Sequence, residues 1–242
     1  MEAMILAAGL GTRLRPLTDH LPKALVEVAG VPMLERVARR LVDAGAERLV
    51  INIHHHAEQV EAFIRTRRAF DVEVVISREE GDTPLETGGG VLHARPLFRS
   101  GRPFFLHNVD VISDMDLSAM YADHLAHGPL ATLAVNGRDT TRPLLFDDRG
   151  LYGWVDRRPG REAGQTVREP VGKAREWGFA GVHVIDPRMF DLLTERGKFS
   201  IIPPYLRLAG EGHEIRSYDV SDALWLEIGS LARLEEARER LS

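Results

Sequence analysis

Cysteine is absent from the 242 residues, so the chain can build neither a disulfide frame nor a thiolate metal site, and it offers no thiol nucleophile. That fits a protein of the cytoplasm. No apolar run approaches ~18 residues, and the chain enters a strand directly instead of opening on a basic stretch with a cleavage site, so no membrane segment or export signal is read. Cationic residues are in deficit, 31 Lys and Arg against 36 Asp and Glu for a formal charge of −5, and the basic footprint that duplex nucleic acid demands is missing. Any nucleotide partner is therefore expected to be a small ligand. Repeats and low-complexity tracts are lacking too. The length suits one large α/β domain that buries roughly 70% of its unfolded surface.

Two familiar glycine loops are also missing. No G-x-x-x-x-G-K-[ST] string occurs, which excludes a P-loop. The dinucleotide fingerprint needs a third glycine where Leu14 stands and an acid closing the second strand, where the chain reads Val50-Ile51-Asn52-Ile53-His54. This argues against a nicotinamide-dependent oxidoreductase. No Ser-His-Asp or Cys-His arrangement is evident either, which suits direct displacement without a covalent intermediate.

What is present is an alternation of apolar strands with amphipathic helices. Residues 3–7 form a continuous apolar run suited to a central parallel strand, and 31–44 carry Met33, Leu34, Val37, Ala38, Leu41 and Val42 at helical spacing with Pro32 near the first turn. Strands are expected over 48–53, 72–77 and 104–107, helices over 58–67 and 89–97. The second half predicts a strand at 130–135, a hairpin over 144–155 turning at 147–150, a strand at 178–185, a helix from Pro187, another near 202–209, a strand at 214–218 and a last helix from Ser230. Residues 157–176, rich in charge, Gly and Pro, read either as an excursion over a site or as a solvated loop. The rhythm predicts a Rossmann-like three-layer α/β/α sandwich with a mixed, mostly parallel central sheet.

The densest signal is Leu6-Ala7-Ala8-Gly9-Leu10-Gly11-Thr12-Arg13, running on to Pro22-Lys23-Ala24-Leu25. Gly9 and Gly11 permit positive φ and leave no side chain between main chain and ligand, so amide hydrogens can turn toward phosphate oxygens. Arg13 offers a planar fork and Lys23 a mobile point charge. A bare G-x-G could equally be a tight strand-to-helix turn. The whole string L-A-A-G-x-G-T-R-L-x-P-L-T with P-K-A-L is more specific, and it resembles the signature of the sugar-1-phosphate nucleotidyltransferases.

The resemblance covers nearly the whole chain and implies a set of roles. Leu6, Ala7, Ala8, Gly9, Gly11, Thr12, Arg13 and Lys23 would handle the nucleoside triphosphate, with Arg13, Lys23 and Asp110 the catalytic groups. Asn108-Val109-Asp110 closes the fourth strand, where such enzymes usually carry G-D or N-G-D; Asp110 would hold Mg²⁺, and otherwise caps the following turn. Val109 replaces the usual glycine. Trp225-Leu226-Glu227-Ile228-Gly229 resembles the family's W-x-D-x-G, with Glu227 one methylene longer than the usual second metal acid. Asp114 and Asp116 are expected to cap the helix that begins near Leu117.

Leu85-Glu86-Thr87-Gly88-Gly89-Gly90 is read as a side-chain-poor turn into a helix. It resembles the base-recognition loop of uridylyltransferases for N-acetylmuramate 1-phosphate, so Glu86, Thr87, Gly88 and Asn108 would bind nucleotide. Glu79 and Glu80 could accept hydrogen bonds from a base, or belong to a solvated charge run over 78–80. Gly178-Phe179-Ala180-Gly181-Val182 resembles the strand lining the sugar pocket, but the family's E-K-P before it is missing. Gly181, Lys173, Arg138 and Arg142 would then serve the sugar phosphate, and Glu169 or Asp156 its hydroxyls. Three adjacent histidines, 54–56, point in alternate directions and suit a polar start to a helix better than a metal site.

The resemblance therefore implies a single nucleotidyltransferase domain over 1–242 without the C-terminal β-helix that many such enzymes append, a monomer or homodimer using Mg²⁺. Its partners would be a nucleoside triphosphate and a sugar 1-phosphate, not nucleic acid or membrane. UTP with an amino-sugar 1-phosphate is favoured; a GTP-using mannose or heptose enzyme is the alternative. A non-catalytic nucleotide-sugar sensor is the rival from another class.

Overall fold

The computed structural model describes residues 1–99 and 101–241. The first half runs β1 (Glu2–Leu6), a short hairpin of β2 (Glu27–Val28) and β3 (Val31–Pro32), α1 (Met33–Asp43), β4 (Arg48–Ile53), α2 (Ala57–Thr66), β5 (Glu73–Arg78), α3 (Glu86–Ala94) and β6 (Phe104–Asn108). The second half runs β7 (Val111–Ser113), α4 (Leu117–His127), β8 (Ala131–Asn136), β9 (Leu144–Asp147), β10 (Gly150–Asp156), β11 (Ala163–Thr166), β12 (Arg175–Ile185), α5 (Met189–Leu192), α6 (Ile202–Gly210), β13 (Ile215–Asp219), β14 (Trp225–Glu227) and α7 (Leu231–Leu241).

The central sheet has the order β5-β4-β1-β6-β12-β8-β13. The β5–β4, β4–β1, β1–β6 and β8–β13 ladders are parallel, and β12 runs antiparallel to both of its neighbours. Because side chains alternate across a strand, each buried strand feeds two cores. Ala3, Ile5, Leu49, Ile51 and Phe105 meet α1, α2, α4 and α7 on one face, while Met4, Val50, Phe104 and Leu106 meet α3, α5 and α6 on the other. The sandwich is the three-layer arrangement expected. Each fully buried aliphatic side chain contributes roughly 1.5–3 kcal/mol, so the continuous apolar runs make these strands the stable frame.

Three local readings change. Val31 and Pro32 pair with Glu27 and Val28 before α1 begins, since Pro32, with its extended backbone, stands at the N-cap. α3 starts at Glu86, so Gly88, Gly89 and Gly90 lie inside the helix instead of in a turn leading to it. A Cβ at Gly88 would collide with the Phe199 ring, and one at Gly89 with the Gly197 carbonyl, so these glycines serve close packing. Residues 157–176 hold a strand, β11, paired to β10. With β9 and the first three residues of β12 they build an antiparallel arm projecting from the central sheet.

Candidate active site

The carboxyl ends of β1, β4 and β6 lie side by side, with Leu6 in register with both Asn52 and Asn108. Ligands of parallel α/β sheets bind at such ends. The chain leaves β1 as the Gly9–Gly11 loop. Of its two glycines Gly11 is the left-handed one, φ +65, and a Cβ there would stand 2.9 Å from Thr18 Cγ2 and 3.0 Å from Lys23 Cβ. That close approach, fixed by the Thr18 hydroxyl donating to Gly11 O at 2.8 Å, lets the Lys23 segment fold back on the loop. Lys23 Nζ, mostly buried, then donates to Asp110 Oδ2.

Asp110 follows β6 directly. The two-stranded β7–β14 ribbon pairs Val111 with Glu227, and Ile228 donates to Asp110 O at 2.8 Å, so the ribbon carries Glu227 alongside Asp110. Arg13 Nη2 lies 3.9 Å from Glu227 Oε1, both side chains substantially exposed. Two carboxylates and two cations thus meet at one end of the sheet. Among the described residues no group of three or more His, Cys, Asp or Glu forms a metal cage. Two hard oxygen donors, one already holding an ammonium cation, fit an ion such as Mg²⁺ that keeps water and phosphate in its shell.

Two cavities flank this cluster and share Asn108 and Ser200. The narrow one, about 340 Å³, is lined by Leu6, Ala8, Gly9, Lys23, Asn52, Glu79, Pro84, Glu86, Thr87 and Asp110 among others. Glu79 is 4% exposed, receiving Asn52 Nδ2 at 2.8 Å and Leu85 N at 2.6 Å. The wide one, about 680 Å³, lies between the arm, α6 and the β7–β14 ribbon. Arg138 is held there by Asn136 Oδ1 and Phe179 O, each at 2.6 Å, with its guanidinium 4.1 Å from the Trp225 ring centre. Burial pulls its pKa below the ordinary arginine value, opposed by the charge of Glu227.

The Nucleotidyl transferase family model matches residues 2–242. The chain belongs to that family. The N-acetylmuramate alpha-1-phosphate uridylyltransferase of Caulobacter vibrioides is 36% identical over 99% of this chain and 96% of its own. The mannose-1-phosphate guanyltransferase of Schizosaccharomyces pombe is 30% identical over 95% of this chain and 61% of its own. A putative glucose-1-phosphate thymidylyltransferase from Bacillus anthracis, solved in complex with a sucrose, superposes with a TM-score of 0.81 over 99% of this chain and 95% of that one at 17% identity, a likeness of fold. The relatives make the protein an enzyme of the transferase class, allied to nucleotide-sugar biosynthesis.

Within the transferase the sequence-chosen residues divide. Leu6, Ala8, Gly9, Lys23, Glu79, Glu86, Thr87, Asn108 and Asp110 line the narrow cavity; Arg138, Arg142, Gly181 and Glu227 line the wide one. Ala7, Gly11, Thr12 and Arg13 form the loop around Lys23, and Gly88 packs beneath Thr87. Glu79 is buried within the narrow cavity while Arg78 and Glu80 are exposed, so the charge run at 78–80 splits. Val109 enters the core, with its N–H donating to Leu6 O at 3.2 Å. Gly181, φ +78, sits where the β12–β8 register shifts, and a Cβ there would lie 2.8 Å from Val111 Cγ2 and 3.0 Å from Asn108 Nδ2.

Other residues are placed elsewhere. Glu169 and Lys173 are exposed beside the β9–β10 turn, outside both cavities, where Lys173 N donates to Asp148 Oδ2 at 3.3 Å. Asp156 is taken up by the Arg158 guanidinium. Asp116 caps α4 by accepting from Ala119 N at 2.9 Å, but Asp114 accepts from Leu224 N at 2.8 Å and so anchors the β14 ribbon. His54–His56 lead into α2, with His56 at its N-cap. Asn52, Thr140, Trp154 and Gln165 were not singled out by the sequence reading. A signal for Asn52 existed, an uncharged polar residue interrupting a buried strand at the same place where Asn108 ends β6.

Proposed function

We propose that the transferase joins a nucleoside triphosphate to a sugar 1-phosphate, giving a nucleotide-sugar and pyrophosphate, with UTP and an amino-sugar 1-phosphate as substrates. The observation that carries the reading is the Lys23–Asp110 pair beside Glu227, at the junction of the two cavities. One chamber then takes the triphosphate and the other the sugar, with their phosphates meeting at the junction.

A sugar phosphate oxygen attacks the α-phosphorus in line, forming a new P–O bond. The bond to the β-phosphate oxygen breaks and its electron pair leaves with pyrophosphate. The attacking phosphate is already ionised, so no base is needed and catalysis is positioning and charge stabilisation. Loop amides near Gly9 and the Arg13 fork hold the triphosphate, Lys23 meets charge at the reacting phosphates, and Arg138 orients the sugar phosphate. Mg²⁺ held by Asp110 and Glu227 would neutralise phosphate charge.

Three observations support a pyrimidine. The chamber beside Asn52 has half the volume of its neighbour. The Asn52 amide spends an N–H on Glu79, leaving Oδ1 to accept from an imide N–H. The Thr87 hydroxyl accepts from Ile201 N at 2.9 Å, so its proton remains for a base carbonyl. The guanyltransferase relative keeps GTP as the second reading. The test is pyrophosphate release from four triphosphates crossed with a panel of sugar 1-phosphates. UTP should lead; GTP ahead by tenfold in kcat/KM, a difference of about 1.4 kcal/mol, would reverse the assignment of the base.

A further inference from the structure

Three arginines line the wide cavity, and they are not equivalent. Arg207 is occupied by Glu195 at 2.9 Å and Glu211 at 3.0 Å. Arg138 is half-buried and gives one N–H of each terminal nitrogen to Asn136 and Phe179, beside the Trp225–Glu227 strand, which leaves the second N–H of each for a phosphate. Arg142, four residues further along the chain, comes from the antiparallel arm. Val155 N donates to Pro143 O and Arg157 N to Thr141 O, which continues the arm's ladder past β9. Thr140, Arg142 and Leu144 therefore fall on one face at a two-residue spacing, and all three line the cavity.

Among the described residues the Arg142 guanidinium has no hydrogen bond or ion pair; only its backbone N–H is used, toward Thr140 Oγ1 at 3.2 Å. Asp156, a carboxylate that feels its charge, has both oxygens on Arg158. Around it stand Trp154, whose ring suits a sugar face, and Gln165, its cross-strand partner. A planar fork with five donors, uncommitted at the wall of a cavity and carried by the arm, not by the strand ends that hold Lys23 and Asp110, suits a planar anion on the substrate other than the phosphate at those ends.

We propose that Arg142 binds a carboxylate on a substituent of the sugar, so that the transferase selects sugar 1-phosphates carrying a second, non-phosphate acid. The inference rests on the wide cavity being the sugar-phosphate site. Arg138 then serves the phosphate and Arg142 the carboxylate, with the ring between them against Trp154.

The experiment compares N-acetylmuramate 1-phosphate, which carries a lactyl ether carboxylate, with N-acetylglucosamine 1-phosphate, which lacks that ether, in parent, Arg142→Gln and Arg142→Lys enzymes. Pyrophosphate release is the readout, with thermal melting to check the fold. The parent should prefer the carboxylated sugar in kcat/KM. Arg142→Gln should lower kcat/KM for it by roughly 10- to 100-fold, mostly through KM, with a loss at least tenfold greater than for the uncarboxylated sugar. Arg142→Lys should recover part of the preference. Equal losses on both sugars would mean that Arg142 serves the shared phosphate, and no parental preference would mean that no carboxylate is read; either overturns the proposal. Release with none of the sugar 1-phosphates, under any triphosphate, overturns the function on which it rests and is distinguishable from both.

Discussion

The parallel side of the central sheet and the antiparallel arm assemble their chambers by different means. On the parallel side, three strand ends bring Leu6, Asn52 and Asn108 abreast, and the chemistry hangs on the residues next after those ends. In the arm, the lining alternates along strands, with Thr140, Arg142 and Leu144 facing Trp154 and Gln165 from neighbouring ladders. A strand-end site is fixed by the core beneath it, whereas an arm site is set by whichever side chains occupy one face. On the proposed reading, reaction machinery is tied to the fold, and substrate choice can change on the arm without disturbing it.

The widest separation between the two regions is expected at Lys23. Lys23→Ala removes the cation proposed to meet the reacting phosphates, and kcat should fall by about 10²- to 10³-fold, the range for loss of one such donor. Arg13→Ala should cost less, because Arg13 is 69% exposed and its partner Glu227 lies 3.9 Å away. Rates within threefold of the parent in both variants, with unchanged circular dichroism, would detach phosphate chemistry from the loop.

That asymmetry also governs what the sequence made legible. The parallel half was readable because continuous apolar runs with glycine punctuation specify strands and loops locally, and the Gly9–Lys23 string concentrates its functional groups in about fifteen residues. Asp110 and Glu227 were readable as single motifs, but their adjacency depends on the Val111–Glu227 register, a contact between distant segments. The arm was least legible. Its third strand, Ala163–Thr166, is exposed at all four positions, so it carries no hydrophobic alternation and reads as loop. Lys173 illustrates the cost: a match to a motif by type and order stands on the outside of the arm, since a short sequence match cannot reveal which face of an irregular turn a residue takes.

Glu227 tests the seam between the regions, since it lines the wide cavity while standing beside Asp110. Glu227→Gln keeps size and loses charge, and the Mg²⁺ concentration for half-maximal rate should rise by about tenfold, roughly 1.4 kcal/mol of metal affinity. Glu227→Asp should be milder, because it restores the shorter acid of the resembling motif. Superimposable magnesium titrations for parent and Gln forms would take Glu227 out of the metal site.

A packing variant sharpens the comparison on the parallel side. Gly88→Ala places a methyl against the Phe199 ring, and because Gly88 N and Gly89 N both donate to Phe199 O, the start of α3 must move. Overpacking of this kind costs about 1–3 kcal/mol. KM for the triphosphate should rise more than KM for the sugar phosphate, since Glu86 and Thr87 line the narrow chamber alone. Equal rises in both constants would show that the chambers do not respond separately.

Both regions should answer to acid, through different groups: burial holds the imidazoles of His107, His124 and His183 at about 4, 4 and 3, so the central sheet loses stability as pH falls below their ordinary 6.5, whereas the arm answers through carboxylates. Among the described residues the two carboxylates held at about 2, Asp147 and Asp156, both lie in the arm, each chiefly by its arginine. Asp147 has no exposed side-chain surface; Arg168 grips both its oxygens at 2.6 and 2.7 Å, and Val171 N and Arg149 N add donors, so one carboxylate ties the β9–β10 turn to the chain leaving β11. Its folded pKa lies below the ordinary aspartate value of 3.8, so the stabilisation is fully present above about pH 4 and is lost as pH falls toward 2. The loss should be on the order of 1–2 kcal/mol, local to the arm. Trp154 and Trp177 stand in the arm, so tryptophan fluorescence during acid titration reports the arm and far-ultraviolet dichroism the whole fold. In Asp147→Asn the fluorescence change should begin at higher pH or be present throughout. Coincident transitions by both probes, identical in parent and variant, would show that the arm melts only with the whole sheet.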